Sequence, residues 1–288
     1  MKSQIFLPLK GGLGNQLFQL AFGLYLKKLT NRPIQFGSLG LERWSTHVPT
    51  RKFAIQELLN PEEQCGNFAA RVTLAWAKSL RDRTSLIFEQ NINSVIDDLI
   101  SPETKCVSGY FQHFRYPDEV WHEIKDRLSG ASSEWTSIGR EPNKQIVIHV
   151  RLGDYFHSAS ARAFHGVTHP DYFDNAVQFL RTNLAQESIT IVSDDLEQAT
   201  DLLSACSFYK ESDISLRQSE SPVTDLAIIS NASGVVASNS TFSWWGAFFA
   251  ERFHGSKVVV PQPWFANQID DPDYLIPPTW TRLNRELL

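Results

Sequence analysis

Residues 145–155 read "QIVIHVRLGDY", an apolar run that ends abruptly in His149, Arg151 and Asp154. Alternating aliphatic, largely β-branched side chains in its first half predict a buried strand. Alternation along that strand sends His149 and Arg151 to one side and Leu152 to the other. In open α/β sheets, ligands gather outside the carboxyl ends of the strands, which is where this polar cluster falls.

Working outward, the downstream chain keeps a regular rhythm. Helical stretches "DYFDNAVQFLRTNL" (171–184), "DLEQATDLL" (195–203), "SPVTDLAIISNA" (221–232) and "TFSWWGAFFAER" (241–252) are interleaved with the strand patterns "SITIVS" (188–193), "GVVASN" (234–239) and "KVVVP" (257–261). Strands alternating with helices predict a parallel sheet covered on both faces, a nucleotide-binding type of half. At the other end, "QIFLPL" (4–9) runs through "GGLGN" into a helical stretch over 16–29: strand, glycine loop, helix. Between the two regions, "RKFAIQELL" (51–59), "NFAARVTLAWAKSLRDR" (67–83) and "PDEVWHEIKDRL" (117–128) carry a helical pattern, and "KCVSGYFQ" (105–112) a strand pattern. The polar, helix-breaking "SSEWTSIGREPNK" (132–144) separates them, with Gly139 and Pro142 as punctuation. The expected domains are therefore 1–140 and 141–288.

Composition narrows the partners. The 288 residues, 42% hydrophobic and 20% charged, suit an ordinary globular chain of one large domain or two. A net charge of −5 excludes a general nucleic-acid footprint, so an anionic ligand has to be held in a pocket. The three cysteines, Cys65, Cys106 and Cys206, show no paired spacing for zinc or redox chemistry, and a reduced, cytoplasmic setting fits them. No apolar run reaches the length of a membrane span, and the first one is too short for a signal peptide. Sequons at Asn231 and Asn239 then read as chance matches. The four basic residues of "RVTLAWAKSLRDR" make either a solvated helix face, the commoner outcome, or a peripheral contact with an anionic bilayer.

Each polar cluster has a functional reading and a plainer one. Arg151 is suited to fork two hydrogen bonds onto a phosphate; the plainer reading pairs it with Asp154 and leaves His149 as a satisfied core residue. "SNSTFSWWG" places Ser238, Asn239, Ser240, Thr241 and Ser243 between a strand and a helix, where free amides and a positive dipole end attract anions. One hydroxyl suffices for capping, and this segment holds several. "SDD", Ser193 to Asp195, closes another strand: a carboxylate there suits a ribose or a guanine edge, or caps the next helix. In "GGLGNQLFQ", Gly12 and Gly14 open a dinucleotide-like pattern whose third position is Leu17, and no phosphate-binding P-loop occurs. The single DxD, Asp271 to Asp273, stands in a proline-rich tail and reads as a solvated loop.

Taken in order, "GGLGNQLFQ", "GYFQ", "HVRLGDY", "SDD" and "SNSTFSWWGAF" resemble glycosyltransferase family 11, the bacterial-type α-1,2-fucosyltransferases, from Gly11 to about Trp264. The resemblance implies a GT-B type fold, two Rossmann-like α/β domains facing a cleft. It implies a GDP-fucose donor held mainly by the C-terminal domain and inverting transfer to the 2-hydroxyl of an acceptor galactose in a glycan, with no metal required. By position, Arg151 would hold the β-phosphate and His149 would lie against the nucleotide. Asp194 or Asp195 would read the guanine or ribose, and Ser238, Asn239, Ser240 and Thr241 would complete the phosphate cradle. Gly12, Gly14, Asn15 and Gln16 would line the cleft towards the acceptor and the fucose. Asp154, just past the strand end, is the candidate general base on geometry alone. The sequence departs from the family's HxRRxD pattern at Leu152, which leaves Arg151 as the main cation of the motif. Other readings are transfer of another GDP-linked 6-deoxy sugar and a non-catalytic nucleotide-sugar or glycan-binding protein on the same scaffold.

Overall fold

The computed structural model describes residues 3–41, 52–66, 86–88, 100–132, 134–152, 166–184, 188–211, 213–218, 220–266 and 273–286. They form two α/β units, Met1–Ala131 and Ser132–Leu288.

In the N-terminal unit, β1 (Ile5–Pro8), β2 (Ile34–Gly37), β3 (Gln64–Cys65), β4 (Leu86–Phe88) and β5 (Cys106–Ser108) lie in the order β3-β2-β1-β5-β4. Every neighbouring pair is parallel. Helix α1 (Leu13–Thr30) follows the glycine turn and is buried almost continuously from Leu13 to Leu26. It stops at Asn31, which takes a left-handed conformation (φ 51°) and returns its N–H to the Lys27 carbonyl. Gly23 lets α1 lie directly on β2: a Cβ there would stand 2.4 Å from the Phe36 ring. The expected strand in 105–112 is β5, and the helical pattern over 117–128 resolves into α2 (Arg115–Glu119) and α3 (Trp121–Gly130), broken at Val120 (φ −117°, ψ 18°). The helix expected over 51–59 is reduced to one 3-10 turn, Gln56–Leu58. Pro61 stops helical backbone at Asn60, which is extended and caps the next short turn with Glu63. The expectation for 67–83 lies outside the described residues.

The C-terminal unit contains β6 (Asn143–Val150), β7 (Ser188–Ser193), β8 (Ile214–Arg217), β9 (Ala232–Val236), β10 (Lys257–Gln262) and β11 (Thr281–Asn284). Its helices are α4 (Pro170–Asn183), α5 (Leu196–Leu203), α6 (Ser207–Glu211), α7 (Pro222–Ser230) and α8 (Thr241–His254). All pairings are parallel, in the order β11-β10-β9-β6-β7-β8. Numbered within the unit, this is the 3-2-1-4-5-6 order of dinucleotide-binding folds read from the opposite edge. Residues expected at the end of the first domain pack here instead. Trp135 is buried, the Asn231 amide donates to the Ser137 carbonyl at 2.9 Å, and the Gly139 N–H donates to Ser230 Oγ at 3.3 Å.

Local chemistry sets the helix ends. Pro170 and Pro222 open α4 and α7, where no intrahelical N–H is needed. Ser221 and Ser240 cap α7 and α8 with their hydroxyls. Helix α8 ends at Gly255, left-handed at φ 67°, with Arg252 and His254 in the last turn facing the negative dipole end. Gly246 sets how closely α7 and α8 approach, since a Cβ there would fall 2.5 Å from Ile229 Cγ2. Buried Tyr172 of α4 donates its hydroxyl to the Ala237 carbonyl at 2.7 Å, with the Val259 carbonyl 3.2 Å away, and so ties the end of β9 to the middle of β10.

Candidate functional site

The strand order of the C-terminal sheet reverses between β6 and β9, and two of the polar clusters picked out in the sequence stand at the carboxyl ends of these strands. Ile146, Ile148, Val150 and Leu152 belong to one buried cluster, so the alternate residues His149 and Arg151 face the other way. Leu152 fills core space rather than approaching a ligand. Ser238, just past β9, donates its hydroxyl to the His149 carbonyl and accepts the Arg151 N–H at 3.1 Å. One side chain thus stitches the two strand ends across the crevice.

Arg151 is held by Asp194, at the end of β7. Asp194 Oδ2 lies 2.8 Å from the Arg151 guanidinium, while Oδ1 accepts the Leu152 N–H at 2.9 Å. The carboxylate therefore grips the side chain of one residue and the backbone of the next. The Arg151 side chain is 28% exposed and the Asp194 side chain 25%, so the pair stands at the surface of the strand ends rather than in the core. The adjacent acid has a different position. Asp195 caps α5, with Oδ1 accepting the Gln198 N–H at 3.1 Å and Oδ2 the Gln198 side-chain amide at 2.6 Å. Ser193 donates to the Val150 carbonyl at 2.8 Å and locks β7 to the end of β6.

Helix α8 starts at the same edge. Ser240 is its cap, its Oγ accepting the Phe242 N–H at 3.3 Å, and Thr241 is its first residue; both are partly exposed, whereas Asn239 is buried. The first-turn amides and the dipole give this edge a positive character suited to an anion. His149 is almost sealed by α8: its Nδ1 is 2.8 Å from Ser243 Oγ and its ring is 5.3 Å from that of Phe242. Burial lowers its pKa from 6.5 to about 4, with Asp194 opposing and Arg151 assisting, so the ring is neutral at physiological pH.

The N-terminal sheet reverses its order between β1 and β5, and its polar loops follow those two strands. Gly11 is left-handed (φ 80°), and an added methyl at Gly12, the α1 cap, would meet no atom of the described residues within 4 Å. Gly14 is buried in the first turn of α1. Asn15 Oδ1 accepts the Gln112 side-chain amide at 2.8 Å, joining the two loops. Gln16 is fully buried; its amide donates to the Gly11 and Lys52 carbonyls and accepts the Ala54 N–H, which anchors the 52–54 segment. Gln19 closes the β1 loop in the same manner, pairing both ends of its amide with the backbone of Lys10. Phe111 holds φ 53° while its ring stacks on Phe22 at 3.8 Å, which fixes the loop that carries Gln112.

Asp154 lies outside the described residues, as does Asp271; Asp273 accepts from Arg282 at 2.7 Å. Ser243 was picked out in the sequence only as one of several hydroxyls near an anion, not as the partner of His149, and Gln112 was given no role. No local signal pairs Ser243 with His149, and the signal for Gln112 was a glutamine in the loop shortly after an apolar strand.

A guanidinium, a neutral histidine and a helix N-terminus at the strand-order reversal of a parallel sheet define a Rossmann-type protein whose crevice favours an anionic ligand. The model of glycosyl transferase family 11 matches residues 102–284, and the chain belongs to that family; it is a glycosyltransferase. It is similar to an α-1,2-colitosyltransferase of Escherichia coli, 24% identical over 96% of this chain and 98% of the relative. It is also similar to the O-antigen biosynthesis glycosyltransferase WbnK of Escherichia coli, 24% identical over 90% of this chain and 94% of the relative. Similar solved structures include POFUT1 in complex with GDP (TM-score 0.47, 13% identity, 88% of this chain and 96% of that one). Another is the fucosyltransferase NodZ from Bradyrhizobium (TM-score 0.43, 10% identity, 86% of this chain and 94% of that one).

Proposed function

We propose that this glycosyltransferase moves L-fucose, with inversion, from GDP-β-L-fucose to the 2-hydroxyl of a galactose or related sugar in a glycan. The observation that carries this reading is the Arg151 guanidinium, gripped by Asp194 beside the N-terminus of α8 at the strand-order reversal. As the sugar–phosphate bond breaks, the sugar becomes oxocarbenium-like and charge builds on the departing β-phosphate. A fixed guanidinium and helix amides stabilise that charge more in the transition state than in the ground state. They neutralise it without a metal in this scheme. Inversion asks for a base on the face opposite the leaving group, and Asp154 is the proposed residue. The N-terminal unit, with Gly12 and Asn15 at its own strand-order reversal and the buried Gly14 and Gln16 supporting them, is the proposed acceptor side.

The colitosyltransferase relative supports a second donor, since colitose is fucose lacking one ring hydroxyl. The α-1,2 linkage is common to both readings. Turnover with GDP-fucose and GDP-colitose over a panel of galactosides, with the product linkage read by NMR, separates them. Arg151→Ala is expected to lower transfer by roughly 10²–10³-fold, and Arg151→Lys to recover little because the forked geometry is lost. Near-wild-type turnover in Arg151→Ala would overturn the assignment.

A further inference from the structure

Ser243 sits in the first turn of α8 with no exposed surface. Its Oγ accepts the Ser238 backbone N–H at 3.0 Å and lies 2.8 Å from Nδ1 of His149. A hydroxyl offers one hydrogen and two lone pairs, whereas the Ser238 amide can only donate. That amide therefore takes a lone pair of Ser243, and the hydroxyl hydrogen is left with His149 Nδ1 as its acceptor among the described residues. The reverse arrangement, Nδ1–H donating to Oγ, strands the hydrogen of a completely buried hydroxyl, and buried polar groups are rarely left so.

We propose that Ser243 is a positioning residue: it holds His149 in the tautomer with its hydrogen on Nε2, so that Nε2 donates a hydrogen bond to an acceptor oxygen of the nucleoside diphosphate sugar. The donor half of this inference rests on the function proposed above; the tautomer half rests on Ser238, Ser243 and His149 alone. Burial keeps the ring neutral, so it has a single hydrogen to place. Phe242 stands against the ring and limits its rotation. Nδ1 is the nitrogen turned onto Ser243, which leaves Nε2 as the one for a ligand, and the residue keeps 4% of its surface exposed. A neutral donor here complements Arg151: the guanidinium supplies charge, and the imidazole supplies direction. Fixing the hydrogen before the ligand arrives removes a reorganisation step from binding.

The test is long-range proton–nitrogen correlation NMR on the full chain carrying 15N-labelled histidine, without ligand and with GDP. Wild-type His149 is expected to show a hydrogen-bearing Nε2 and a lone-pair Nδ1, with the Nε2 signal shifting when GDP binds. Ser243→Ala is expected to move the tautomer towards Nδ1–H and to weaken GDP binding by about tenfold, the scale of one hydrogen bond. Ser243→Thr, which keeps the hydroxyl, is expected to restore both. An Nδ1–H spectrum in the wild type would overturn both the tautomer assignment and the donor role, since Nε2 would then carry no hydrogen to donate, while intact GDP binding would leave the proposed donor class standing. An Nε2 signal unmoved by bound GDP would overturn the donor role. Absence of GDP binding by the wild type would overturn both the donor role and the proposed donor class, and the ligand-free spectrum would still report the tautomer.

Discussion

His149 couples the candidate site to acid stability, and the size of the coupling follows from its surroundings. In the fold its ring stays unprotonated down to about pH 4, because burial outweighs the attraction of Asp194 and Arg151 adds repulsion; its ordinary pKa is 6.5. Between these values the unfolded chain binds one more proton than the fold, so stability rises with pH and falls as the solution is acidified. At about 1.4 kcal/mol per pKa unit, the whole difference is about 3 kcal/mol. About 2 kcal/mol of it falls between roughly pH 7 and pH 5, above the range in which most carboxylates titrate. His149→Gln removes the titration and keeps a side-chain acceptor for the Ser243 hydroxyl. Urea unfolding of both proteins across that window is expected to show the wild type losing about 2 kcal/mol more than the variant. The background from every other group cancels in the difference. Curves that run parallel would refute the claim that the ring is held neutral by burial, and a direct NMR titration of His149 would then show an ordinary midpoint.

Three further outcomes concern the framework. Glu63 is buried and accepts both terminal nitrogens of Arg127, at 2.7 and 2.9 Å, together with Lys27 and the Asn60 N–H. Burial pushes its pKa up, but Arg127 and the other donors outweigh burial and hold it below its ordinary 4.5. Its stabilisation is therefore present above that pH and is lost as the pH falls further. Glu63→Gln leaves Arg127 without its main counter-charge and is expected to cost about 3–5 kcal/mol in urea unfolding at neutral pH. Gly246→Ala forces a methyl against Ile229 and is expected to cost about 1–3 kcal/mol; thermal unfolding unchanged from wild type would show that α7 and α8 separate freely. Asp195→Ala removes the α5 cap and is expected to cost about 1 kcal/mol in urea unfolding. Loss of stability well beyond that figure would mean that the residue does more than cap.

Much of this architecture is legible locally. The strand patterns that became β6, β7, β9 and β10 and the helical patterns that became α1, α4, α5, α7 and α8 agree with the structure to within a few residues. Apolar periodicity, Pro at helix starts, Ser caps and the terminal Gly255 all act over one or two turns, a range that a sequence displays. Strands β8 and β11 were missed because they lie at the sheet edges, where mostly exposed or half-buried residues give no apolar run. The helix expected over 51–59 did not form over its first half, where the backbone of Lys52 and Ala54 is bound by the Gln16 side chain, a partner distant in sequence. The sequence placed a carboxylate pair after β7 but had no means of dividing its duties. Space decides that Asp194 meets Arg151 and Leu152 while Asp195 turns back onto Gln198.

By itself, then, the sequence determined the element types, the polar strand ends and the family resemblance, because these rest on periodicity and on motifs read along the chain. Only the tertiary structure decided the strand order, the reversal that brings His149 and Arg151 beside Ser238, and the contact of Ser243 with His149. Those facts join residues separated by 87 to 94 positions along the chain. Parallel strands have to be linked by crossover segments, and hydrogen bonds depend on distance through space, which no local pattern encodes.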